Sequence, residues 1–377
     1  MSGRLVITPR IRKSPFFDAA VKYGATDFSV YNKMYMPFGY DTPEAEYRAL
    51  TNDVTLWDVG AQRMVEITGP DAFRFTDMLT PRDLSKCKVG QCKYVVITDQ
   101  NGGVLNDCVL LRRGENHFWI CYGDNDLRLW ARGVAVHSGM DVTVAEPDVS
   151  PLQVQGPKSR AVMDELFGDT VSGLAYYTHA DAELDGIPLV VSRTGFTAEL
   201  GYEVYLMDGS KGVEIWEAIM AAGKPHGMVP ASPSRIRRIE AGILDYGTDI
   251  NESVNPFEIG LDRLVSLDSE ADFIGKAALT RIRAEGITRH IAGIRLEGEP
   301  LAYNGWAWDV SRNGEAVGKM TSVIYSPTLE TNIALVMITM DCQELGTELE
   351  VATPDGPRRA VVVEMPFVDP NHERSRA

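Results

Sequence analysis

Residues 64–80 read MVEITGPDAFRFTDMLT, and residues 151–168 read PLQVQGPKSRAVMDELFG. Each begins with a short run of β-formers, breaks at Gly-Pro and continues with apolar residues at helical spacing: Phe73, Met78 and Leu79 in the first, Val162, Leu166 and Phe167 in the second. Proline suits the first position of a helix because the N–H it lacks has no partner there, so each Gly-Pro is expected to open a helix with Pro as its first residue. Two strand-turn-helix modules predict two related α+β lobes packed together rather than one doubly wound sheet.

Further strands are expected at 93–98, 104–112, 117–122, 140–145, 188–193 and 201–206. A helix fits DLRLWARGVAVHSG at 126–139. SPSRIRRIEAGILDYG at 232–247 predicts a long helix, with Ser232 as N-cap, Pro233 in the first position and Gly247 as the stop. FIGKAALTRIRAEG at 273–286 reads as a bridging helix. From about 289 the chain is β-rich, and the turn signals Arg312-Asn313-Gly314 and Pro354-Asp355-Gly356 predict a compact C-terminal β-barrel.

With 377 residues, 44% of them hydrophobic and 24% charged, the chain has the composition of an ordinary globular protein of several domains. Its formal charge of -16, from 53 acidic and 37 basic residues, and the lack of any basic block denser than RIRK at 10–13 argue against nucleic acid and anionic membranes as partners. The first residues, MSGRLVITPRIRKSPFF, contain no uninterrupted apolar stretch, so a cytoplasmic location is expected. Five scattered cysteines suit a reducing compartment. Cys87 and Cys92 have no second pair at zinc-site spacing, and the six histidines form no HExxH pair, so no metal is expected.

Three acidic or basic side chains stand in unusual company. Asp107 follows the Asn101-Gly102-Gly103 turn inside a strand of β-formers, where it is either an outward-facing residue or a buried acid that needs a partner. Glu203 lies in GYEVYL, where alternation with Tyr202, Val204 and Leu206 puts it on the face turned away from those residues. Arg238 sits in RIRRIEAG, either on a solvated helix face or buried against an acid. The TGFTAELG stretch has two glycines but no phosphate-loop pattern.

The order of these segments is more specific than any one of them. SPFFDAAVKYG, MPFGYDTPEAEYRALTNDVTLWDVG, VEITGPDAFRFTDMLTPRDL, NGGVLNDCVL, LQVQGPKS, RTGFTAELGYEVY, RRIEAGILDYGTDI, FIGKAAL, GKMTSVIYSPTLETNIALVMI and MPFVDPN follow one another over residues 14–371. Together they resemble the aminomethyltransferase (glycine cleavage T-protein) family of tetrahydrofolate enzymes. VYNKM, NDVTLWDVGAQR, MLTPRDLSKCKVGQCKY, EPDVSPLQVQGPKS and NPFEIGL look nearer to the branch that demethylates dimethylsulfoniopropionate. Thr197-Ala198-Glu199-Leu200 departs from that branch toward the T-protein pattern, which leaves the methyl donor open.

The resemblance implies a three-domain, clover-like α+β fold around a central folate channel. The expected division is 1–52 with 141–270 as a first α+β domain, 53–140 as a second, and 271–377 as bridging helix and barrel. It implies Asp107 as the catalytic acid-base group, with Glu203, Arg238, Tyr94 and Asn106 holding tetrahydrofolate. The reaction implied is transfer of a methyl group from a small sulfonium acid to the nitrogen at position 5 of tetrahydrofolate. A neutral leaving group needs no acid, so positioning and charge stabilisation carry the catalysis. Tyr31, Phe196, Tyr205 and Trp57 are candidates for a cation–π pocket around the donor, Tyr31 and Phe196 foremost. A methylated amine or betaine as donor, an aminomethyl group from a lipoyl carrier, and a non-catalytic folate-binding protein are the rival readings. No KGCYxGQE-like motif, which marks that last class, occurs at 240–260. The partners expected are a small methyl donor and folate, with a homodimer left open.

Overall fold

A computed structural model describes residues 7–377 of the chain. The two Gly-Pro modules form the same turn twice. Strand Arg63–Thr68 leads through Gly69 to helix Ala72–Leu79, and strand Ser150–Gln155 leads through Gly156 to helix Ser159–Phe167. Both glycines have strongly positive φ, 120° and 127°. A Cβ on either would meet a backbone oxygen at 2.6 Å, that of Asp141 for Gly69 and that of Asp53 for Gly156, so only glycine fits both the angle and the space. Those same oxygens accept hydrogen bonds from Asp71 N at 3.2 Å and Lys158 N at 3.0 Å. The sequence predicts the prolines as the first helical residues, and they are not. Asp71 and Lys158 are the N-caps, so each proline lies one residue before the cap, where the turn rather than the helix uses its fixed φ.

Thr55–Asp58, Ser150–Gln155, Gly201–Leu206, Ile187–Ser192 and His179–Leu184, with a short parallel edge at Val229–Pro230, make a six-stranded sheet. Cys92–Thr98, Val104–Gly114, His117–Tyr122, Arg63–Thr68 and Thr143–Ala145 make a five-stranded one. Thr55–Asp58 therefore belongs with the first lobe and Thr143–Ala145 with the second, which moves the boundaries expected at 52/53 and 140/141 a few residues downstream. Alternation decides what each sheet buries. Tyr202, Val204 and Leu206 enter the first lobe's core with Leu152 and Trp216, and Cys108 and Leu110 enter the second's with Phe75 and Phe118.

The opposite faces of the two sheets are covered by each other. Met64, Leu111, Trp119 and Cys121 of one meet Val190 and Tyr205 of the other, and all are buried. At about 1.5–3 kcal/mol for each large apolar side chain taken out of water, this apolar strip supplies much of the lobe-to-lobe adhesion.

The helix expected over 232–247 stops after Arg235–Glu240, with Ser234 rather than Ser232 as N-cap. Gly242 adopts φ 65°, Ile243 N bonds back to Arg238 O at 2.8 Å and Gly242 N to Ile239 O at 3.0 Å, which is a Schellman stop. The acids beyond it, Asp245 and Asp249, therefore lie on a loop. The bridging helix forms at Lys276–Glu285, and the C-terminal strands close into a six-stranded barrel. Asn313 and Gly314, at φ 53° and 81°, make one of its expected hairpin turns. Among the described residues no helix is long and apolar enough to cross a membrane.

Candidate functional site

Asp107 answers the question its neighbours raise. Residues 108 and 110 face the lobe's core, so Asp107 shares the inter-lobe face with Val109 and Leu111. It is half-buried by area yet deep among protein atoms. Tyr94 on the adjoining strand donates its hydroxyl to Asp107 Oδ2 at 2.8 Å. Burial pushes the carboxyl up to about 6, the Tyr94 bond holds it down, and the charges of Asp245 and Asp249 push it up again. Asp107 is therefore a carboxylate poised near neutral pH, the condition favourable to proton exchange.

Tyr31 reaches the same place from the first domain. Asn32 and Lys33, at φ 54° and 62°, form a two-residue hairpin turn that Asn32 fastens to the second lobe, through Asp124 Oδ1 at 2.7 Å and Gly123 O at 3.1 Å. Tyr31 Oη lies only 2.6 Å from where a Cβ on Gly123 would stand. Its phenol is pushed well up by burial and by the charges of Asp245 and Asp107.

Glu203 is fixed by register. Trp57, Gln153, Glu203 and Ser192 are directly paired across four neighbouring strands, so all four side chains leave the same face. Glu203 is buried, with Oε1 accepting from Gln153 Nε2 at 2.8 Å and Oε2 accepting from Thr194 Oγ1 and, at 3.0 Å, from Tyr205 Oη. Burial raises its carboxyl, against these three donors. In the same row Gln153 Oε1 and Trp57 Nε1 are buried without a protein partner. A carboxylate with acceptor capacity left on Oε1, beside an orphaned amide oxygen and an orphaned N–H, matches a ring edge that carries both donors and acceptors, as a pterin does. Tyr177, within electrostatic reach of both Glu203 and Tyr94, connects the two halves of the site.

The other expected residues fare unevenly. Arg238 is buried, and its guanidinium is engaged by Asp249 Oδ2 at 2.7 Å, Ile243 O at 3.2 Å, Ser322 Oγ at 2.8 Å and Tyr303 Oη at 3.2 Å. This ties the helix to the barrel and balances Asp249, and it leaves little of Arg238 for a ligand. Asn106 points away from the carboxylates' face, and its Oδ1 accepts from Gly123 N at 3.0 Å. It therefore supports the backbone beneath Tyr31. Tyr205 and Trp57 are fully buried around Glu203 rather than beside Asp107, so they do not line a donor pocket there. Phe196 lies half-buried in the loop at 193–200 and makes no ring contact among the described residues. Sequence reasoning missed Asp245 and Tyr246 because it placed them in a helix, and it gave Asp249, just beyond that helix, no role. It missed Gln153 too, which the register with Glu203 could have revealed.

Comparison with known proteins identifies the family and the fold. Residues 16–269 match the GCVT N-terminal domain, and residues 289–369 match the glycine cleavage T-protein C-terminal barrel domain. The chain is 36% identical to dimethylsulfoniopropionate demethylase DmdA of Ruegeria pomeroyi, over 94% of this chain and 97% of that one. It is 32% identical to an aminomethyltransferase of Symbiobacterium thermophilum, over 97% of this chain and 99% of that one. The structure superposes on the glycine cleavage system aminomethyltransferase T of Bartonella henselae with a TM-score of 0.86, at 22% identity, over 95% of this chain and 98% of that one, a likeness of fold. Two matched domains covering most of the chain, and relatives aligned nearly end to end, make this chain a member of the aminomethyltransferase (glycine cleavage T-protein) family, an enzyme of one-carbon transfer that works with tetrahydrofolate.

Proposed function

We propose that the enzyme takes a methyl group from a small carboxylated onium compound, a sulfonium acid such as dimethylsulfoniopropionate, and passes it to tetrahydrofolate. The observation that carries this reading is the set of acids around Tyr31. Asp107, Asp245 and Asp124 stand within electrostatic reach of its ring, and among the described residues none of the three forms an ion pair. Such a cluster attracts a fixed positive charge, and the Tyr31 ring would add about 0.5–2 kcal/mol of cation–π attraction. The identity to a sulfonium demethylase favours the same donor class.

Tetrahydrofolate supplies the accepting nitrogen when bound. Glu203 and Gln153 would hold its ring by their acceptor oxygens. Asp107 balances positive charge at the reacting centre and takes up a proton on the carboxylate oxygen that Tyr94 does not engage. Tyr94 keeps that carboxylate ionised and oriented. The five cysteines are buried and unpaired, which suits a cytoplasmic setting.

The test is an assay with tetrahydrofolate and dimethylsulfoniopropionate, following 5-methyltetrahydrofolate and methylmercaptopropionate by mass spectrometry. Turnover supports the reading. Folate binding with no turnover of this donor, of glycine betaine or of N-methylated amino acids overturns it. Ammonia release from an aminomethylated lipoyl carrier would instead place the enzyme with its aminomethyltransferase relatives.

A further inference from the structure

The acids that suit an onium group repel a carboxylate, so a zwitterionic donor needs a cation close by. Arg238 is bound to Asp249 and the barrel. Arg235, one helical turn earlier, is not so bound: among the described residues it has no hydrogen-bond or ion-pair partner for its guanidinium. Its guanidinium stands instead over Phe38, 3.7 Å from the ring centroid, and beside Tyr303 at 4.9 Å. Stacking fixes the plane of the group while leaving its N–H edge, the part that takes a carboxylate in two parallel bonds, without a protein partner.

Position fits this use. Arg235 lies within electrostatic reach of Asp245, which in turn acts on both Asp107 and Tyr31. It is half-buried, and its stacking partner Phe38 is 41% exposed, so the guanidinium stands toward the surface beside the acidic cluster. Tyr303 is itself steadied by the hydrogen bond from Arg238. A half-buried cation, clamped by two rings, with Glu46 and Asp245 near enough to act on its charge but neither bonded to it, is a costly arrangement unless an anion completes it.

We propose that Arg235 anchors the carboxylate of a bound small molecule, and that it selects zwitterions over simple onium cations. This rests on the donor class proposed above. Two ligands of this enzyme carry carboxylates, the donor and the glutamate tail of folate, and the experiment separates them.

Wild type, Arg235→Gln and Arg235→Lys are compared by calorimetry against dimethylsulfoniopropionate, its methyl ester, glycine betaine, its methyl ester, tetrahydrofolate and tetrahydrofolate triglutamate. Arg235→Gln is expected to weaken binding of the two acids by about tenfold or more, as loss of a charge-assisted pair does. Both esters and both folates should stay within about twofold of wild type, and Arg235→Lys should fall between. Thermal melting verifies that each variant is folded. A loss confined to the folates assigns the carboxylate to the folate tail instead. Equal weakening of acids and esters, or no change in any ligand, overturns the proposal and leaves Arg235 a stacking residue. A wild-type protein that binds neither zwitterion sinks the proposed donor class, and the folate arm alone then decides Arg235.

Discussion

Tyr94 and Asp107 meet diagonally across one hairpin, hydroxyl to carboxylate at 2.8 Å, so a single strand pairing sets against the buried acid the donor that opposes the effect of its burial. The bond favours the ionised carboxylate. Its removal in Tyr94→Phe should raise the Asp107 pKa further and move the acid limb of the kcat/KM profile to higher pH. Superimposed limbs in the two proteins would separate Tyr94 from the ionisation that matters.

Asp107→Asn should lower methyl transfer by about a hundredfold or more while keeping folate affinity within severalfold, as expected for a positioned acid-base group. The same change should not cost stability. Folding raises this carboxyl from 3.8 to about 6, so the native state holds its proton more tightly than the unfolded chain does. Native stability from this group therefore falls as pH rises from about 4 to 6, and the penalty persists above that. The variant lacks the penalty and should melt no lower than wild type at pH 7.5. A lower melting temperature would mean that the ionised Asp107 stabilises the fold.

Glu203→Ala should weaken tetrahydrofolate binding and also lower the melting temperature. It strips Gln153, Thr194 and Tyr205 of their acceptor, at about 1–3 kcal/mol for each buried donor left unpaired. An unaltered folate dissociation constant, measured by calorimetry below the variant's melting point, would make Glu203 a purely structural acid.

Arg238→Ala should cost about 3–5 kcal/mol in denaturant unfolding, because Asp249 is then left buried without its cation. Folate affinity of the folded fraction should change little. A large loss of affinity with stability intact would restore Arg238 to the ligand site.

Gly123→Ala should raise the KM for the methyl donor severalfold with little effect on folate, since the new methyl would displace the Tyr31 hydroxyl. Gly123 has an ordinary backbone φ, so the substitution carries no strain of its own. An unchanged KM would place the donor away from Tyr31.

The two lobes, the barrel and the hairpin of Asp107 could be read from the sequence because local periodicity and turn chemistry specify them. Strands 117–122 and 201–206 fall where alternation put them. What could not be read is what covers an outer face. Glu203 alternates as a residue turned away from its own lobe's core, which is correct, and only the docking of the second lobe turns that face into an interior. The Arg238 segment failed for a different reason. Its apolar spacing continues past Glu240, but Gly242 in the left-handed region ends the helix, and a glycine inside an apolar run does not announce its φ.

The two carboxylates belong to different sheets, and an apolar strip of Leu111, Trp119, Val190 and Tyr205 sets their separation. On the function proposed above, neither lobe alone would carry a reaction centre, and a small shift in that strip would change the distance between folate ring and acid without touching either group. Side chains with no chemistry of their own would then act as the spacer of the enzyme, and variation there would surface as altered turnover in a protein whose proposed reacting residues are all intact.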